Sequence, residues 1–224
     1  MSAHAFAFAR FRSQDRDEWL MRAGRPHARA ILFVPPLFEE MNRTRALLAA
    51  VMRRLARQGH SCWLLDLGGT GESVAPLSDM SWAGWRHDVT SAAAYIAEQA
   101  GRPLVASLRG GALVDDGASA RGWWRLTPVD GAAVARDMAR SGLAGGVEWA
   151  GYAPAPVLKE ALEAAKPAPV HPLRTVRLAS DAAAADGKLD GPALWRRSEP
   201  GTSAALAEAI AEDIKRWSLQ CASS

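Results

Sequence analysis

A chain of 224 residues with 49% hydrophobic and 23% charged side chains fits one α/β domain, spanning residues 1–224, of ordinary globular composition. The net charge is only +3, and the basic residues, mostly arginine, are scattered singly, which argues against a nucleic-acid partner. Cys62 and Cys221 form no CxxC or Cys/His cluster, so no metal or cofactor is expected, and two isolated thiols suit a reducing cytoplasm. No apolar run reaches the roughly 18 residues that span a bilayer, and residues 1–12, broken by Arg10 and Arg12, lack a signal-peptide core.

Taken in order, Ala3 to Arg12 alternates small and large residues as a strand does, with Glu18 to Arg22 as its hairpin partner and Gly24-Arg25-Pro26 as a turn. Ala30 to Val34 is an unbroken apolar run, suited to a strand buried on both faces. Pro35-Pro36 stops it, and a loop carrying Phe38, Glu39 and Glu40 leads to a helix capped by Asn42 or Thr44. Leu48, Val51, Met52 and Leu55 form the apolar stripe of that helix, and Gly59 ends it. A second buried strand runs from Ser61 to Leu67, which makes a right-handed βαβ unit.

A long glycine-bearing loop, 68–80, follows, then a helix through Asp88 to Gln99 and a third strand from Pro103 to Ser107. Residues 112–118 suit a short helix, weakened by Asp115, Asp116 and Gly117. A fourth strand is expected over Gly122 to Val129, helices over Ala132 to Arg140 and Pro154 to Lys166, and an extended piece over Gly145 to Tyr152. Leu173 to Leu178 is the last clear strand, and Ala204 to Leu219 is an amphipathic helix. The pattern predicts a mostly parallel sheet with helices on both faces and no large cap. In such a sheet ligands bind at the loops after the strands.

The third strand ends in a tight turn, Ser107-Leu108-Arg109-Gly110-Gly111. It matches the strand–turn–helix elbow Gly-x-Ser-x-Gly in form, with arginine where the nucleophile belongs. Arginine stays protonated and cannot attack a carbonyl. Other serines are weaker: Ser107 faces the sheet, and Ser73 suits a turn cap. Among the histidines, His60 and His87 read as structural or surface residues. His171, between prolines ahead of the last strand, is the best-placed base, and no histidine follows it.

The fork of Arg109 suits a carboxylate, so it is expected within ~4–6 Å of Glu39 or Glu40. Such a pair either ties two loops together or, with Asn42, Asp66 and Ser73, lines a pocket for a small or anionic ligand. If the protein hydrolyses anything, Glu39 or Glu40 must activate water, with the backbone N–H groups of Phe38 and Gly110 holding an oxyanion. Trp123, Trp124, Trp149 and Trp195 suit an apolar pocket wall or the core. A homodimer is left open.

The combination Pro35-Pro36-x-x-Glu39-Glu40-Met41-Asn42, Asp66-Leu67-x-Gly69-Thr70-Gly71-Glu72-Ser73, Trp82-x-x-Trp85-x-x-Asp88 and Leu108-Arg109-x-Gly111 resembles the exosortase A system-associated hydrolases of type 2. Gly151-Tyr152-x-x-Ala155-Pro156 and residues 192–195 are similar too. The resemblance implies an α/β-hydrolase-like fold in exopolysaccharide-producing bacteria, and an elbow in which arginine is a family trait. It implies no particular reaction.

Overall fold

The computed structural model describes residues 5–141 and 151–221. They form an eight-stranded sheet in the order β1-β2-β4-β3-β5-β6-β7-β8. The strands are β1 Ala7–Ser13, β2 Arg16–Ala23, β3 Arg29–Val34, β4 His60–Leu65, β5 Leu104–Leu108, β6 Gly122–Leu126, β7 Leu173–Leu178 and β8 Gly187–Leu189. The β1–β2 hairpin joins β4 antiparallel, and every later pairing is parallel. The expected mostly parallel sheet is therefore present.

Two apolar layers clothe the sheet. Along β3, Ile31 and Phe33 enter one layer while Ala30, Leu32 and Val34 enter the other, as the two-residue period of a strand requires. Helices α1 (Glu39–Arg57) and α5 (Ala204–Gln220) cover the first face. Helices α2 (Trp82–Ala100), α3 (Gly131–Ser141) and α4 (Pro156–Ala164) cover the second. Both cysteines are buried and free. No helix among the described residues is long and apolar enough to cross a membrane.

Several local expectations are corrected. Helix α1 starts at Glu39, so Glu39 and Glu40 form its first turn rather than a loop, where two carboxylates suit the helix dipole. Asn42 and Thr44 lie inside the helix and cap nothing; the Thr44 hydroxyl donates to the Glu40 carbonyl at 2.8 Å. Residues 112–118 form no α-helix. Two short 3-10 turns, Arg109–Leu113 and Asp115–Gly117, stand there. Strand β8 was not expected, because three residues with glycine and lysine carry no apolar period; pairing with β7 defines it. The extended piece expected from Gly145 lies almost wholly outside the described residues, and so does Trp149.

Helix α2 begins six residues before Asp88, at Trp82. The Ser81 side chain caps it, accepting from the Gly84 N–H at 3.0 Å. Ser81→Ala is expected to cost about 1 kcal/mol, the usual worth of such a cap, read from the midpoint of urea unfolding.

Candidate functional site

Strand β5 delivers the chain to the elbow. Arg109 stands at the tip with φ of 50°, a conformation uncommon for a long side chain. Two residues on, a Cβ at Gly111 would lie 2.4 Å from the Pro35 carbonyl oxygen and 2.6 Å from that of Val34. Only glycine lets the turn pack this closely on the end of β3. Beneath the tip, Ser107 is fully buried and donates to Asp115 at 2.7 Å, and Arg125 holds the same carboxylate through two bonds. Ser107 is thus a strut under the elbow.

The Arg109 guanidinium meets Glu40. Its Nε lies 3.2 Å from each carboxylate oxygen, and its Nη2 lies 2.8 Å from Oε1. Nη2 also reaches Asp137 on α3 at 3.4 Å. Trp195 packs on the guanidinium, with Cζ 5.3 Å from the ring centroid. Both partners are almost shut off from water, with side-chain exposures of 5% for Arg109 and 11% for Glu40. Burial pushes the Glu40 carboxyl above its usual range, against the bonds from Arg109, and Asp137 adds to the push.

Helix geometry selects Glu40 over Glu39. Successive helical residues point about 100° apart. Glu40 shares the inward stripe of Thr44, Leu47 and Leu48, all buried. Glu39 turns outward, where it pairs with Arg43 at 3.5 Å and accepts from Asn42 at 3.1 Å.

A cavity of about 510 Å³ opens beside Glu40, lined by Glu39, Glu40, Asp137, Arg140, Trp195 and Arg196, among others. Asn42 lies nearby, donating to the Tyr152 hydroxyl at 3.0 Å. The other residues expected to bind ligand are engaged otherwise. Asp66 is 1% exposed and gives both oxygens to Arg45, at 2.7 and 3.2 Å. The Ser73 hydroxyl accepts from the Gly69 N–H at 3.0 Å, so it staples its own loop. Phe38 is buried between Trp85 and Tyr152. Gly110 is buried, and its open face is closed by Leu37 and Val134. These four hold the framework of the site.

Trp123 and Trp124 are core residues, whereas Trp195 reaches the cleft. The expectations missed Asp137, Arg140 and Arg196. Asp137 and Arg140 lie on an exposed-looking helix face with no motif around them. Arg196 follows a resembling segment, 192–195, and that was the available signal.

No protein-family model matches the chain, and neither does any curated protein. Solved structures do. Est1E from Butyrivibrio proteoclasticus, seen with ferulic acid bound, is similar with a TM-score of 0.63 at 14% identity, over 96% of this chain and 100% of that one. The thioesterase domain from the curacin biosynthetic pathway gives 0.57 at 11% identity, over 96% and 99%. An epoxide hydrolase from Vigna radiata gives 0.46 at 14%, and the chain spans only 42% of its length. With the strand order and the tight turn after β5, the two full-length likenesses define the α/β-hydrolase fold. What stands at its elbow is a buried arginine–glutamate pair.

Proposed function

We propose that this is a hydrolase-like protein of an exosortase and exopolysaccharide system. It keeps the α/β-hydrolase framework and its cleft, but binds a small molecule there without a serine nucleophile. The observation that carries this is the Arg109–Glu40 pair: the elbow tip is occupied by a cation tied down through three hydrogen bonds. Such a group orients and neutralises, and attacks nothing. The exosortase association rests on the motif resemblance around Pro35, Asp66, Trp82 and Leu108. A cytoplasmic place goes with the two free cysteines. One sheet running through the described residues goes with a single domain over residues 1–224.

Hydrolysis through Glu40 is the second reading. It is favoured by one fact: burial raises the Glu40 carboxyl at the wall of a cavity, as suits a general base. A panel of short-chain esters, assayed with wild type, Glu40→Gln and Arg109→Ala beside a serine-reactive fluorophosphonate, separates the two. Binding without chemistry predicts no turnover and no labelling. Turnover that disappears in both variants, without labelling, would establish water activation by Glu40. Labelling of any serine would overturn both readings.

A further inference from the structure

A second cleft, of about 290 Å³, shares Trp195 and Arg196 with the first. It gathers the ends of three parallel strands. Arg109 follows β5, Thr127 follows β6, and Arg177 and Ser180 come from the end of β7. None of these except Arg109 belongs to the site described above.

The cleft holds donors without a partner among the described residues. Thr127 is 6% exposed, takes a φ of 46°, and its hydroxyl has no partner among the described residues. A hydroxyl buried this way is costly unless something accepts from it. Arg177 gives Nη1 to Asp181 at 2.7 Å and Nη2 to the Pro128 carbonyl at 3.3 Å, while its Nε is buried and has no partner among the described residues. Arg196 is exposed and makes no ion pair with the described residues.

The charges fix the class of ligand. The lining holds Arg109, Arg177 and Arg196 against the single carboxylate of Asp181. Glu40 matches Arg109, and Asp181 matches Arg177. The Ala183 N–H and Arg177 keep the Asp181 carboxyl below its usual range, so it stays the anion of its pair. The charge of Arg196 is left over. One surplus cation beside a neutral hydroxyl donor and an unpaired guanidine N–H suits one anionic group with two acceptor oxygens.

We propose that this cleft binds the carboxylate of a small monoanionic ligand, held by Arg196 with the Thr127 hydroxyl and the Arg177 Nε. The Thr127 hydroxyl and the Arg177 Nε are both shut off from water in this structure, so binding requires the two side chains to turn toward the ligand. The cleft's role rests on the ligand-binding reading above and adds the chemical class of the ligand.

Thermal unfolding with a panel of monocarboxylates from acetate to benzoate, at constant ionic strength and beside inorganic phosphate, tests it. At least one carboxylate should raise Tm saturably. Arg196→Gln should weaken that binding about tenfold or more, and Thr127→Val about fivefold, the worth of a charged and a neutral hydrogen bond. In the absence of carboxylate, Thr127→Val should hold or raise Tm, because a methyl replaces an unpaired buried hydroxyl. A Thr127→Val protein that unfolds at markedly lower temperature overturns the proposal. So does stabilisation by phosphate stronger than by any carboxylate, or no stabilisation by the panel. Carboxylate binding that survives Thr127→Val undiminished also overturns it, and leaves the first cleft's binding role standing.

Discussion

Replacing Glu40 by alanine should cost the protein about 3–5 kcal/mol, the usual penalty for leaving one member of a buried ion pair without its partner. Among the described residues, Arg109 would keep the long contact to Asp137 at 3.4 Å and its place over Trp195. The double variant Glu40→Leu with Arg109→Met should recover most of that loss, since apolar residues of similar volume commonly replace a buried pair at little cost. Urea unfolding of the two proteins beside wild type measures both effects. A double variant no more stable than Glu40→Ala would show that the pair is not the coupled unit its geometry describes. Acidity adds a check. The folded Glu40 carboxyl titrates above its unfolded value, so its native form holds a proton more tightly than the unfolded chain. Its contribution is fully present below the unfolded pKa and is lost as pH rises through the raised folded value. That slope should vanish in Glu40→Ala.

Asp88→Ala should be similarly severe, at about 3–5 kcal/mol. The Asp88 side chain is fully buried and accepts from the Ser13 hydroxyl at 2.5 Å, the Gly68 N–H at 2.9 Å and Arg16 at 3.1 Å. One carboxylate therefore joins the β1–β2 hairpin, α2 and the loop after β4. Trp85 completes the clamp by donating to the Gly68 carbonyl at 2.9 Å. The alanine variant strands three donors at once. Asp88→Asn keeps an acceptor for some of them and should lose clearly less. Equal losses in the two variants would mean that volume, rather than hydrogen bonding, governs the site.

That clamp also shows what the residues disclosed and what they hid. Trp82-x-x-Trp85-x-x-Asp88 was visible as a motif, yet its spacing could not say whether it served chemistry or packing. Its partners, Ser13 and Gly68, are far from Asp88 in sequence, and only the fold brings them together. The buried strands β3, β4 and β5 were legible because each carries a short apolar run, Ala30 to Val34, Cys62 to Leu65 and Leu104 to Ala106, with Pro or Gly close by. The start of α1 was misplaced because Phe38 enters the helix with φ of 54° and no side-chain cap, so no capping residue marks the boundary. At the site, the attraction of Arg109 for a glutamate followed from charge alone. The choice of Glu40 needed the helix to begin at Glu39. Asp137 and Arg196 reach the cleft from α3 and the turn after β8, and no local pattern announces a contact made across the sheet edge.

The Arg109–Glu40 pair also shapes which sequences lie one step away. A single change, Arg109→Ser, would put a hydroxyl at the elbow tip, but it would strand the Glu40 carboxyl in a buried site and supply no histidine, since none follows His171. The reverse order, Glu40 first, strands the guanidinium. Either route to a serine centre crosses a less stable intermediate, so stability selection alone keeps the two residues together, whether or not the cleft's ligand ever changes.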